Sequence, residues 1–254
     1  MPGHVNKPHL PEGEVGLAVI GARYAPKLGE AMRGLGIDVL WMPDAPAADP
    51  RLAGHADLSV IHLGGDRIVS ACGGEFDSEL AALGFEVIAV PGPGGKYPQD
   101  CGLNACIAGG RLFHRLDITA REVLERIDGL KPVKIAQGYA KCCTCVVDER
   151  SIITSDHGIA AAARGEGLDV LEITPGYIEL DGFGYGFIGG AAFKLSRGAM
   201  AFTGRMDGHP DWGEIRVFLS ERGITPEILT GYAAFDVGSV LPLTERRRAG
   251  TACP

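Results

Sequence analysis

Apolar residues come in short runs broken by tight polar turns, and the runs fall into a repeating order. Leu58–Leu63 is one run, Gly64-Gly65-Asp66 a turn and Arg67–Ala71 a second run, which together predict a β-hairpin. Glu75–Leu83 then has a helical period and Phe85–Val90 returns to a strand. The order recurs as Leu103–Ala108, Gly109-Gly110, Leu112–His114, a helix over Ala120–Ile127 and a strand Pro132–Ala136. It recurs again as Cys143–Val147, Asp148-Glu149-Arg150, Ser151–Thr154, a helix Ile159–Arg164 and a strand Leu168–Ile173. A last copy runs through Ala191–Leu195, Ser196-Arg197-Gly198, Ala199–Thr203, a helix Glu214–Arg222 and a strand Glu227–Leu229. Strand–turn–strand–helix–strand thus occurs four times, at intervals of about forty to fifty residues, and such periodicity outweighs any single motif.

The two ends complete the pattern. Val15–Ile20 and Ile37–Met42 read as strands flanking a helix, Pro26–Gly36, with Leu28, Ala31, Met32 and Leu35 on one face. Val237–Leu243 is a strand with no helix after it, so the two ends joined make a fifth unit. The expectation is an α/β fold: one domain over 14–244, a five-unit ββαβ propeller closed by the N- and C-terminal segments, with helices outside and a central channel. An open α/β sheet with hairpins is the alternative, but closure removes free sheet edges. Residues 1–13 read as a flexible arm and 245–254 as a loose tail. Helix entries are expected at Thr119 with Glu122, at Asp156, and at Asp211 with Glu214.

Composition narrows the setting. The chain has 254 residues, 46% apolar and 22% charged, as in an ordinary globular protein. A net charge of -8 argues against nucleic acid as a partner. No run has the length of a membrane helix and no signal peptide is visible at the start, so a cytoplasmic protein with no membrane partner is expected. The seven cysteines do not form a disulfide framework and are read as free thiols.

Several stretches carry candidate chemistry. Gly208-His209-Pro210-Asp211 sits at a strand-to-helix joint and sets imidazole beside carboxylate, the usual equipment of acid–base catalysis; Asp211 is equally a helix cap. Asp100 follows the loop Pro91–Gln99 and Tyr97, at a strand start, where a ring would open its channel; Asn104 lies further in. In Lys141-Cys142 a cation adjoins a thiol, which favours thiolate, but adjacent strand residues point to opposite faces unless the backbone turns. Cys142, Cys143 and Cys145 lack the spacing of a structural zinc site, and neither metal nor cofactor is expected. The glycine-rich 92–95 and 182–190 lack the context of phosphate loops. Tyr177, Phe183, Tyr185 and Phe187 give the rim aromatic faces, able to hold a cation or to serve as core.

With these features assembled, the chain resembles the pentein superfamily, the guanidine-group-modifying enzymes, in an uncharacterised compact bacterial branch. The stretches that carry the resemblance are Tyr97-Pro98-Gln99-Asp100, Gln137–Cys142, Gly186–Gly190, Gly208–Asp211 and Asp236-Val237-Gly238-Ser239. It implies that Asp100 grips a guanidinium and that His209, in a Gly-His-x-Asp motif, protonates the departing amine. Tyr97, Asn104, Lys141, Asp211, Asp236 and Ser239 are expected among the ligand-binding residues, Lys141 independently of the resemblance. Where the family has a Glu-Gly-Gly motif this chain has Ile188-Gly189-Gly190, and Pro242 stands where the nucleophilic cysteine of the last strand belongs.

Three readings follow. The first is a pentein-fold protein with a central site for a small cationic guanidino or amino compound, with altered chemistry or none. The second is a non-catalytic binding protein. The third is a hydrolase in which Cys142 replaces the missing nucleophile. An active protein would be a hydrolase or transferase acting on a guanidino or amidino C–N bond.

Overall fold

A computed structural model describes residues 3–246. Four three-stranded sheets follow one plan: a hairpin, a helix and a strand parallel to the hairpin's second arm. Their strands are Val60–Gly64, Arg67–Ser70 and Glu86–Ala89; Cys106–Ala108, Arg111–His114 and Lys131–Lys134; Thr144–Asp148, Ser151–Thr154 and Asp169–Glu172; and Ala192–Ser196, Ala199–Phe202 and Thr225–Ile228. A fifth sheet joins the ends of the chain. Leu241–Arg246 pairs antiparallel with both Gly3–His4 and Glu14–Gly21, and Glu14–Gly21 pairs parallel with Asp38–Met42 across the helix Ala25–Gly34.

Each unit buries its apolar side chains against the next. Ile61 and Val69 of the first unit pack with Ile107 and Leu112 of the second. Phe113 meets Val146 and Ile152 of the third, whose Val147 and Ile153 meet Met200 and Phe202 of the fourth. Phe193 and Ala201 then meet Val15 and Ile20 of the fifth, and Val19 and Leu243 return to Val60 and Ile68 of the first. Such shared cores explain why no single unit could bury its apolar face alone.

The structure differs from the sequence expectations at several places. The first described residues, read as an arm, are paired: Gly3 and His4 join the fifth sheet, and the buried Val5 donates to Leu243 and accepts from Gly65. Glu245 and Arg246, read as tail, end the last strand, which begins at Leu241 rather than Val237; the rest of the expected tail, with Cys253, lies outside the described residues. Thr119 caps no helix, because its hydroxyl is taken by His114 Nδ1 at 2.7 Å. Asp156 does cap its helix, accepting from Ile159 N at 2.8 Å. Asp211 stands at the N-cap position, but its side chain accepts from Thr174 N instead.

The difference that matters most for the site is local. Three hairpins open not on strand residues but on single helical turns, Ala56–Ser59, Ala140–Cys143 and Ile188–Ala191. A turn of helix projects neighbouring side chains about 100° apart instead of to opposite faces. Lys141 and Cys142 can therefore reach the same group.

Candidate functional site

Five chain segments, one from each unit, meet where the hairpins begin. They are the turn Ala56–Ser59, the loop around Asp100 and Asn104, the turn Ala140–Cys143, the turn Ile188–Ala191 and the loop 236–239. Backbone bonds bind them together: Lys141 N donates to Asn104 O, Asp57 N to Gly238 O and Val237 N to Gly190 O. Two glycines make the approach possible. Gly238 has φ +64 and lies so close to His55 that a Cβ would overlap the histidine, and a Cβ on Gly190 would overlap Asp236 Oδ1.

Asp57 is the hub. Its Oδ2 accepts from Ser239 Oγ at 2.6 Å and from Cys142 Sγ at 2.8 Å. Lys141 Nζ donates to Ser239 Oγ at 3.0 Å and to Gly189 O at 2.9 Å. The Asn104 carboxamide ties the turn down: Oδ1 accepts from the backbone N–H groups of Lys141 and Cys142, and Nδ2 approaches the Cys142 sulfur at 3.6 Å. Asp236 accepts from Phe187 N at 2.9 Å and Gly238 N at 2.8 Å, and its Oδ1 lies 4.0 Å from His55 Nδ1. Asp100 stands behind Tyr139, whose hydroxyl donates to it at 2.6 Å.

Apart from the half-buried Tyr139, these side chains are buried. Two carboxylates, Asp57 and Asp236, lie near the Lys141 side chain, and Asp100 sits apart from them behind Tyr139. His55 Nε2, Asp57 Oδ1 and Asp100 Oδ1 have no hydrogen-bond partner among the described residues. Buried polar atoms left so are costly, and a ligand that pairs with them relieves the cost. Burial pushes the Asp57 carboxyl up, aided by Asp236 and opposed by His55 and Lys141. Burial also raises Asp236 to about 6 against the pull of its two backbone donors. It pushes the Cys142 thiol well up, with Asp57 and Asp236 adding to it, and lowers His55 to about 4. The neighbouring Lys141 therefore does not make Cys142 a resting thiolate, contrary to the sequence expectation.

A chamber of about 150 Å³ opens onto this cluster. His55, Cys142 and Asp236 lie at its inner end, and Leu52, Leu180, Phe183, Tyr185 and Phe187 are among its walls. His55, Asp57 and Cys142 offer three donor atoms within 4.8 Å of one another. This N, O and S set is of the kind that binds zinc-like ions. The neighbouring thiols do not join it: Cys145 Sγ lies against Met200 Sδ at 3.5 Å, and Cys143 is buried between the second and third units.

Of the residues singled out in the sequence, Cys142, Lys141, Asn104, Asp236, Ser239 and Asp100 come together. His209 and Asp211 do not line the chamber. His209 stacks on Tyr177 with ring centres 5.3 Å apart and accepts from Asp211 N at 3.1 Å, at the entry of the helix Trp212–Ser220. Tyr97 is half exposed, packs on Tyr139 and accepts from Arg115. Pro242 lies in its strand opposite Ala18, and the loop before it presents Ser239 instead. Ile188 belongs to the apolar core.

The sequence reading missed His55 and Asp57. The signal was present, because Gly54-His55-Ala56-Asp57 repeats the Gly-His-x-Asp pattern found at Gly208–Asp211. Its position at the head of a hairpin, matching that of Lys141-Cys142 two units on, separates it from the copy at a helix entry.

Comparison with known proteins agrees with this architecture. No curated protein matches the chain in sequence. Among solved structures it is similar to an inosamine-phosphate amidinotransferase from Streptomyces griseus, with a TM-score of 0.56 and 11% identity over 99% of this chain and 98% of that one. It is also similar to dimethylarginine dimethylaminohydrolase from Pseudomonas aeruginosa, with a TM-score of 0.53 and 10% identity over 89% of this chain and 96% of that one. Agmatine deiminase from C. jejuni gives 0.52 and 12% over 97% and 98%. These likenesses are to members of the pentein superfamily and show its fold. A family model described as a family of unknown function, DUF6873, matches residues 19–241, and the chain belongs to that family.

Proposed function

We propose that this chain cleaves a C–N bond of a small guanidinium or amidinium compound, with Cys142 as nucleophile and His55 as the proton carrier. One observation carries the reading: Cys142 Sγ, a His55 ring nitrogen and an Asp57 oxygen lie within 4.8 Å of one another, and Cys142 and His55 line the chamber. The reading takes the five units as a closed propeller, which the succession of shared cores supports, with the site at its centre. The free cysteines support the expected cytoplasmic setting.

The chemistry follows from the charges. A planar cation entering beside Asp57 and Asp236 finds the bidentate acceptors it needs. Its charge offsets the excess of carboxylates and lowers the cost of forming a thiolate next to it. The Cys142 proton passes to His55, and the sulfur adds to the central carbon of the cation. One C–N bond then breaks, and the departing amine takes the proton held by His55. The amidino group left on sulfur is released to water, which makes a hydrolase, or to a second amine, which makes a transferase. Either route returns the thiol.

A second reading, binding without catalysis, is supported by the neutral resting state of Cys142 and His55. Turnover separates the two. Ammonia or amine release from a panel of guanidino and amidino compounds should occur with the wild-type protein and be lost in both Cys142→Ala and His55→Asn. Release that survives Cys142→Ala overturns the proposal.

A further inference from the structure

The walls of the chamber say more about the ligand than its inner end does. Leu52, Leu180, Phe183, Tyr185 and Phe187 are apolar or aromatic, and among the described residues no lysine or arginine lines the chamber. At about 150 Å³, inner end included, the chamber leaves room for only a compact substituent beside the cation. A carboxylate brought into it would meet no cation and would lose its hydration uncompensated.

The cations lie in the adjoining outer cavity, which Arg23, Lys27 and Arg51 line together with Glu179 and Asp181. Two of the three are already paired. Arg23 binds Asp44 through Nε at 3.0 Å and through Nη2. Arg51 binds Asp49 at 2.6 Å, donates to Gly182 O at 2.9 Å and lies 4.2 Å over the Phe183 ring. Lys27 lies over Phe235 at 4.8 Å. Arg51 thus holds the Phe183 loop, and Glu179 and Asp181 offset the charge that Lys27 would offer an anionic tail.

We infer that the guanidinium or amidinium ligand carries a compact, uncharged apolar substituent, of the aryl- or branched alkylguanidine class, and not an amino-acid tail. The inference rests on the proposed cation site. Its content is the group that fills the chamber beyond that site.

The test is calorimetric titration of the Cys142→Ala protein, in which turnover is blocked, with methylguanidine, phenylguanidine and arginine. Burying the ring should make phenylguanidine about 30-fold tighter than methylguanidine. Arginine should bind no better than methylguanidine. Leu180→Ala should reduce the phenyl preference several-fold, read as the ratio of phenylguanidine to methylguanidine affinity. If methylguanidine binds but phenylguanidine is no tighter, or arginine is the tightest, the inference fails and the cation site stands. If no guanidino or amidino compound binds, both fail.

Discussion

At the scale of single residues, the site is defined by buried charge that the protein leaves unbalanced. Asp236, raised to about 6 by burial, carries a testable sign. A guanidinium recognises the ionised carboxylate, so its affinity should rise about tenfold between pH 5 and pH 7 and then level off. Titration calorimetry across that range checks it, and Asp236→Asn should remove the dependence. In the unligated protein the same shift acts the other way. A carboxyl whose folded pKa lies above its unfolded value contributes stability that is present below about pH 4 and lost as pH rises through about 6. The loss is on the order of 3 kcal/mol from this group. Ligand and proton therefore compete for Asp236, and ligand binding below pH 6 should release protons, read as buffer-dependent binding heats.

At the scale of elements, the helical turns decide the chemistry. The turn Ala140–Cys143 lets Lys141 and Cys142 converge on Ser239 and Asp57, and the loop 236–239 needs Gly238 to clear His55. Gly238→Ala should cost about 2–4 kcal/mol, from the left-handed backbone and the overlap together, and should abolish ligand binding. Gly231→Ala, where a Cβ has open space, should be neutral. Denaturant melts of the two variants make the comparison. These turns also mark the limit of what the sequence discloses. The order of strands and helices was legible because apolar runs and polar turns have different periods, and Asp156 was legible as a cap. The turns were not, because Ala-Lys-Cys-Cys and Ala-Asp-Leu-Ser continue into apolar strands without a Gly or Pro break. That ambiguity hid Asp57 behind an assumed strand and made Lys141 and Cys142 look opposed. His209 drew attention away from His55 because one pattern occurs twice, and only tertiary contacts distinguish the copies.

At the scale of the whole molecule, the ends of the chain hold the fold together. Gly3–His4 and Leu241–Arg246 share a sheet, Val5 is fully buried, and Leu10 packs near the junction of the second and third units. Removing residues 1–10 should lower stability by about 2–4 kcal/mol, as expected for losing buried aliphatic side chains and their backbone bonds. A flexible arm would leave the melting temperature unchanged. The loop before the last strand brings Asp236 and Ser239 onto His55 and Asp57. The site exists only when the fifth unit is complete.

The central claim is that Cys142 is the nucleophile of a cation-binding site served by His55. Its most direct test is labelling with 2-chloroacetamidine, a cationic electrophile, against its neutral isostere 2-chloroacetamide, read by peptide mass spectrometry. The account predicts a single adduct on Cys142, formed much faster with the amidine, slowed by guanidinium ligands and slowed at least tenfold in His55→Asn. Labelling at another cysteine, or equal rates with the two reagents, would contradict it.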